Sequence, residues 1–149
     1  MRCLGILALT IVLAFTGLVF LPTSAFSPHE ASALAGEVAN VSDFMLVVHG
    51  PNGLLGQIKE ALDGKGPADD KAWRGAKARA SVVSYLCDTI LAKAKPPKGD
   101  AASWKSKVGE YAGSAKSLAK ALEAKDASAA KRERDRMGKS CESCHKAHK

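Results

Sequence analysis

Residues 100–145, DAASWKSKVGEYAGSAKSLAKALEAKDASAAKRERDRMGKSCESCH, decide the fold of this chain. Asp100 and Asp126 each stand just before a helical pattern, where a short acidic side chain can accept the free N–H groups of the first turn. Apolar residues follow each cap at intervals of three and four, which places them on one face of an α-helix. The predicted inward positions are Trp104, Val108, Tyr111, Ala115, Leu118 and Leu122 on the first helix, and Ala130, Met137, Cys141, Cys144 and His145 on the second.

Two further helices are predicted before this region. One runs over residues 70–94 and stops at Pro96-Pro97, with an inner stripe of Trp73, Ala76, Ala80, Val83, Cys87, Ile90 and Ala94. The other starts at a capping box, Ser27-Pro28-His29-Glu30, and continues through Leu34, Val38, Val41, Met45 and Val48. Gly50-Pro51 interrupts it because proline lacks an N–H. The pattern then resumes at Leu54, Leu55, Ile58 and Leu62.

We therefore predict an all-α protein, an antiparallel four-helix bundle whose first helix is broken or kinked at Gly50-Pro51. Residues 26–149 form its one domain. Alanine is frequent and large apolar side chains are sparse after residue 63. Such a core buries little apolar area. It therefore contributes little to stability, since each buried methylene contributes only ~0.8 kcal/mol. A bound apolar cofactor would supply the missing volume.

The N-terminal residues 1–25 are typical of a signal peptide. Arg2 precedes an uncharged apolar run over residues 3–21, and Thr23-Ser24-Ala25 gives small residues for cleavage after Ala25. An uncleaved membrane anchor is the alternative. Export places the mature chain in the periplasm. That location and an aromatic content of 5% argue against a nucleic-acid partner, so the formal charge of +7 needs another explanation.

The last predicted helix carries Cys141-Glu142-Ser143-Cys144-His145. Cys-X-X-Cys-His is a c-type haem attachment signature, in which two thiols bind the macrocycle and the histidine binds iron. On a helix the three side chains lie at i, i+3 and i+4, which is one face. A thiol–disulfide redox pair and a zinc site that adds His148 are the alternatives. The first usually sits at a helix N-terminus after a strand, and the second rarely forms within one helical turn.

With this motif near the C-terminus, the amphipathic helices and Met45 near the middle of the first helix, the chain resembles the class II c-type cytochromes, the cytochrome c′ group and its low-spin relatives. The resemblance implies one haem c linked to Cys141 and Cys144, with His145 as proximal ligand. It also implies that Met45 faces the distal side, and that Lys149 lies against the proximal imidazole or a propionate. His148 stands where the family usually has an aromatic residue.

The sixth iron ligand separates the functions. Met45 with His145 would raise the reduction potential and suit electron transfer. His49, one turn later, and an open iron that binds small gases such as NO and CO are the alternatives. We predict a one-electron carrier rather than an enzyme; a small haem enzyme such as a peroxidase is the weakest candidate.

The expected partners are redox proteins with acidic surfaces. Residues 131–136, KRERDR, are either a solvated helix face with internal ion pairs or a docking patch for such a partner. The helix faces also leave room for a homodimer. Cys87, on the inner stripe of its helix, is predicted to be a small core residue.

Overall fold

The computed structural model describes residues 38–149, together with Ala33 and Gly36, which are helical. The predicted signal peptide at residues 1–25 and the capping box at 27–30 lie outside the described residues. Within them every regular element is a helix and no strand occurs, so the all-α prediction is confirmed. None of the helices in this part of the chain is both long enough and apolar enough to cross a membrane.

Five α-helices and one π-helix are described. They are α1 (Val41–His49), α2 (Leu54–Leu62), α3 (Asp70–Leu86), the π-helix (Cys87–Leu91) that continues α3, α4 (Ala101–Glu123) and α5 (Ala127–His148). Asp100 and Asp126 cap α4 and α5 as predicted, since their carboxylates accept the backbone N–H groups of Ser103 and Ala129 at 2.7 and 2.8 Å.

The first predicted helix differs from the expectation at Asn40. The sequence predicts one helical face that includes both Val38 and Val41, but Val38 is not helical and Asn40 caps a new helix. The Asn40 side chain accepts the Asp43 N–H at 3.0 Å, and the Asp43 carboxylate accepts the Ala39 N–H at 3.1 Å. This reciprocal cap satisfies donors that a continuous helix would have paired internally.

The break at Gly50-Pro51 is present as predicted, with α1 ending at His49 and α2 beginning at Leu54. The turn is tight: a Cβ on Gly53 would lie 2.6 Å from the Val48 carbonyl oxygen. Leu54, Ile58 and Leu62 on α2 are buried as expected.

The second predicted helix is shorter and less regular than expected. Regular α-helix ends at Leu86, five residues of π-helix follow, and Ala94 lies beyond them. The π-helical bond runs from the Ala92 N–H to the Cys87 carbonyl at 2.9 Å. The Thr89 hydroxyl donates to the Tyr85 carbonyl at 2.8 Å, and such side-chain bonds to the preceding turn bend helices. Cys87 is fully buried, as predicted.

The core forms mainly where α4 packs on α5 and on α3. All six predicted inward residues of α4, together with Ala130 and Met137 of α5, are buried. On α1 the buried residues are Phe44 and Val48, whereas Met45 is only half-buried. Val38 and Val48 keep their predicted inward positions, but Phe44 replaces Met45 as the large core residue of α1.

Phe44→Ala should lower the free energy of unfolding by about 3–5 kcal/mol, because it leaves a cavity where an aromatic ring is fully buried. Leu46→Ala, two residues along the same helix, is the matched control. Leu46 is 68% exposed, so its loss should cost no more than about 0.5 kcal/mol. Urea unfolding of the purified protein measures both, and equal effects would contradict this assignment of the buried face.

Candidate functional site

A groove lies between α1, the start of α4 and the end of α5, and its non-atom space of about 1180 Å³ includes open solvent. A smaller cavity shares six of its side chains and extends it towards Phe44, Leu91, Val108 and Tyr111; its non-atom space of about 360 Å³ also includes open solvent. The groove walls are Val41, Met45, His49, Pro97, Lys98, Trp104, Cys141, Cys144, His145, His148 and Lys149.

The predicted Cys-X-X-Cys-His residues all line this groove. Cys141 and Cys144 are half-buried free thiols, and His145 is exposed at the wall. Burial raises the pKa of Cys141 to about 11, with the neighbouring Cys144 adding to the effect. Burial also raises the pKa of Cys144. Both sulfurs are therefore held as neutral thiols at physiological pH.

Met45 and His49 line both the groove and the smaller cavity, one turn apart on α1. The Tyr111 hydroxyl lies 2.9 Å from His49 Nε2, and Cys141 Sγ lies 3.7 Å from the same nitrogen. The His49 residue reaches the surface, but desolvation of its ring lowers its pKa, and the charge of His145 lowers it further. His49 Nε2 and the Tyr111 hydroxyl therefore form a partly buried hydrogen-bonded pair.

His148 closes one end of the groove and is 3% exposed. Its Nδ1 lies 2.8 Å from the Lys98 carbonyl oxygen, which can only accept, so Nδ1 carries the proton. Its Nε2 is then free to accept from the Ser103 hydroxyl at 3.2 Å. Both ring nitrogens are thus used, and the last turn of α5 is tied to the loop before α4.

Gly99 allows this contact. Its φ is +83°, in the region that favours glycine. A Cβ at this position would lie 3.0 Å from the Ala147 carbonyl oxygen and 3.1 Å from His148 Nδ1. The loop can approach the end of α5 closely only without a side chain here.

Trp104 packs edge-on against His148, with ring centroids 5.4 Å apart and an interplanar angle of 89°. Only 6% of the residue is exposed, and its indole Nε1 has no hydrogen-bond partner among the described residues. Such buried unpaired donors are rare in folded proteins. Trp104 lines both the groove and the smaller cavity.

Lysines surround the groove. Lys98 and Lys149 line it. Lys107 lines the smaller cavity, and its ammonium donates at 2.7 Å to the Ser143 hydroxyl, which lines neither space. Lys149 is exposed at the C-terminal end of α5. No acidic side chain among the described residues lines either space.

The structure thus brings Met45, Cys141, Cys144, His145 and Lys149, which were singled out from the sequence, to one groove. Sequence reasoning missed the roles of Tyr111 and Trp104 there, although the stripe of α4 contains both. It also missed the buried contacts of His148, whose partners lie 45 and 50 residues away.

Within residues 38–149, no group of three or more His, Cys, Asp or Glu side chains is arranged to hold a metal ion. Cys87 lines neither the groove nor the smaller cavity, and burial raises its pKa to about 12. Comparison of the chain with protein-family models, curated proteins and solved structures gives no match.

Gly99→Ala should destabilise the protein more than Gly64→Ala. Both glycines have positive φ, so each alanine costs about 1–2 kcal/mol from the backbone alone. Nothing lies near a Cβ on Gly64, whereas on Gly99 it crowds His148 and should cost roughly 1–3 kcal/mol more. Chemical denaturation compares the two variants, and equal losses would show that the loop tolerates a side chain beside His148.

Proposed function

We propose that this protein is an exported monohaem c-type cytochrome that carries single electrons in the periplasm. The observation that carries the proposal is the arrangement of the groove. Both thiols of Cys-X-X-Cys-His and the adjacent imidazole line the same space as a thioether from another helix, that of Met45. One helix would thus hold a haem through Cys141, Cys144 and His145, and Met45 of α1 would offer a thioether to its iron.

The residues of the groove fit a haem in three respects. The space is lined largely by apolar groups, as pockets for large apolar ligands are. The two cysteines are free and partly accessible. The buried indole N–H of Trp104 and the surrounding ammonium groups complement the carboxylates that a haem carries.

The cysteine pKa values favour this reading over a thiol–disulfide redox pair. An attacking cysteine in such a pair is activated by a lowered pKa, which populates the thiolate. Here burial raises the pKa of Cys141 and of Cys144. Neither cysteine therefore has the lowered pKa that activates such a pair.

For the fold we propose the antiparallel four-helix bundle of the sequence prediction, with α1 and α2 as the two halves of its first helix. The π-helix extends α3 as the second helix, and α4 and α5 are the third and fourth. Support comes from the packing of α3 on α4 and of α4 on α5, and from the contact of α2 with both α3 and α5.

We assign His145 as the proximal ligand and Met45 as the sixth ligand. Phe44 and Val48 fill the core under α1, so Met45 is not needed there and its side chain lines the groove. His49 is less suited, because its Nε2 is already paired with the Tyr111 hydroxyl. When bound, the haem supplies a reversible one-electron iron couple. The thioether raises its potential, and the apolar walls limit access of water.

One observation favours the alternative of a gas-binding protein with an open iron. The pair formed by His49 and Tyr111 is a polar feature on an otherwise apolar stretch of wall. If Met45 did not bind iron, this pair would be the nearest source of hydrogen bonds for a small ligand such as NO.

For the redox partner we propose an acidic surface that docks on the lysines around the groove rather than on residues 131–136. In that run Arg136 pairs with Glu133 at 3.0 Å and Arg134 with Asp135 at 2.6 Å, so much of its charge is balanced locally. Lys98 and Lys149 instead line the groove and Lys107 lines the smaller cavity, and no acidic side chain of the described residues lines either space. Complementary charge there would mainly raise the rate of encounter.

Covalent attachment is the first test of the function. The chain expressed with export and haem-attachment machinery should keep haem stain through denaturing electrophoresis. Replacing both Cys141 and Cys144 by Ser should abolish the stain, whereas Cys87→Ser, which changes a buried thiol away from the groove, should keep it. A parent protein whose haem is removed by denaturation, or that binds none, would refute the proposal.

Ligation by Met45 is tested by Met45→Leu. The parent should be low-spin in both oxidation states, and its oxidised form should show the weak near-infrared band of sulfur bound to ferric iron. Met45→Leu should lose this band, bind carbon monoxide faster and have a lower reduction potential, because the thioether stabilises ferrous iron.

Met137→Leu is the matched control for this substitution. Met137 is fully buried in the core and does not line the groove, so the spectrum should stay that of the parent. A high-spin parent that Met45→Leu leaves unchanged would favour the gas-binding alternative. A spectrum altered by His49→Ala but not by Met45→Leu would make His49 the ligand.

A further inference from the structure

We propose that Trp104 and Lys98 form a carboxylate subsite of the groove, in which the indole N–H donates a hydrogen bond to a carboxylate of the bound haem. This inference rests on the proposed haem function. It assigns a cofactor-binding role to two residues that the attachment motif does not contain.

The unpaired donor is the first observation. Trp104 is 6% exposed, and its Nε1 has no acceptor among the described residues. Folded proteins pair nearly all buried donors, because an unpaired one has lost its hydrogen bond to water without replacement. A bound ligand that brings an acceptor would remove this penalty.

The side chain that packs on the Trp104 ring does not supply that acceptor. His148 is the ring packed against Trp104, but its Nδ1 faces the Lys98 carbonyl and its Nε2 faces the Ser103 hydroxyl. Arg134 Nη1 is the other buried side-chain nitrogen without a partner among the described residues, but it does not indicate a ligand site. The remaining nitrogens of that guanidinium bind the Asp135 carboxylate, and Arg134 is not in the groove.

The position and charge of the groove identify the ligand chemistry. Trp104 lies on the wall that the groove and the smaller cavity share, and Lys98 and Lys149 lie on the groove wall as well. With no acidic side chain on these walls, the polar surface there favours an anion. Charge-assisted bonds to a carboxylate are stronger than neutral ones. A haem joins a large apolar surface to two carboxylates, which matches both parts of the groove.

Trp104→Phe tests the subsite, because it keeps an aromatic ring and removes the N–H. In the holoprotein, the resonance Raman bending mode of a haem propionate should move to lower frequency when this hydrogen bond is lost. Trp73→Phe is the matched control, since Trp73 is the only other tryptophan and packs near Gly66 and Ala127, away from the groove. It should leave the propionate modes at their parent frequencies.

Lys98→Gln removes the charge and keeps much of the side-chain length. It should shift the propionate modes in the same direction as Trp104→Phe, by a smaller amount, because Lys98 reaches the groove from an exposed loop.

A second measurement uses the parent protein and does not depend on a variant that folds. With ¹⁵N-labelled tryptophan, the indole N–H signal of Trp104 should lie downfield, as expected for a bond to a carboxylate. It should also shift more between the ferric and ferrous states than the signal of Trp73.

The outcomes separate this inference from the proposed function. If the parent carries no covalent haem, the function fails. If it carries haem but Trp104→Phe leaves every propionate mode unchanged, only the subsite is overturned. An indole signal that does not respond to the oxidation state of the iron would overturn it as well.

Discussion

His148 holds the last turn of α5 against the loop before α4, and the groove depends on that attachment. Through it, Lys98 and Ser103 fix the end of the helix that carries Cys141, Cys144 and His145. The contact is buried, and both ring nitrogens of His148 lie within hydrogen-bond distance of an oxygen of the loop or of α4. Gly99 permits the close approach, and the same ring orients Trp104 on the groove wall.

The parts of the fold that were predicted correctly are those encoded locally. Asp100 and Asp126 were identified because one side chain can satisfy a helix start. The stripe of α4 was identified because its large residues repeat at helical spacing. Asn40 and Phe44 were missed for related reasons. A cap can interrupt an apolar pattern without changing its spacing, and spacing alone does not decide which of two adjacent apolar residues, Phe44 or Met45, faces the core.

The candidate site also has one part that a local sequence pattern predicts and another part that depends on how the helices pack. The attachment motif is readable because its three side chains fall within one helical turn, and Met45 was reached through resemblance to a family. The contacts between His49 and Tyr111 and between His148 and Lys98 join residues 62 and 50 positions apart. They arise where α1 meets α4 and where α5 meets the loop before α4, so no local sequence pattern predicts them. The lack of a hydrogen-bond partner for the indole N–H of Trp104 likewise depends on the residues packed around it, so the sequence alone does not predict it.

The distribution of large side chains supports the proposal of a cofactor at this end of the molecule. Where α4 packs on α5, much of the buried surface is alanine, including Ala112, Ala115, Ala121 and Ala130, so the two helices need little side-chain volume between them. The aromatic contacts instead gather around the groove, where Phe44, His49 and Tyr111 lie within 6.2 Å of one another by ring centroid. All three line the smaller cavity, and His49 also lines the groove. An apolar group held there by Cys141 and Cys144 would complete the core, and because its attachment is covalent, that contribution to stability would not depend on the concentration of free ligand, as it does for a reversibly bound cofactor.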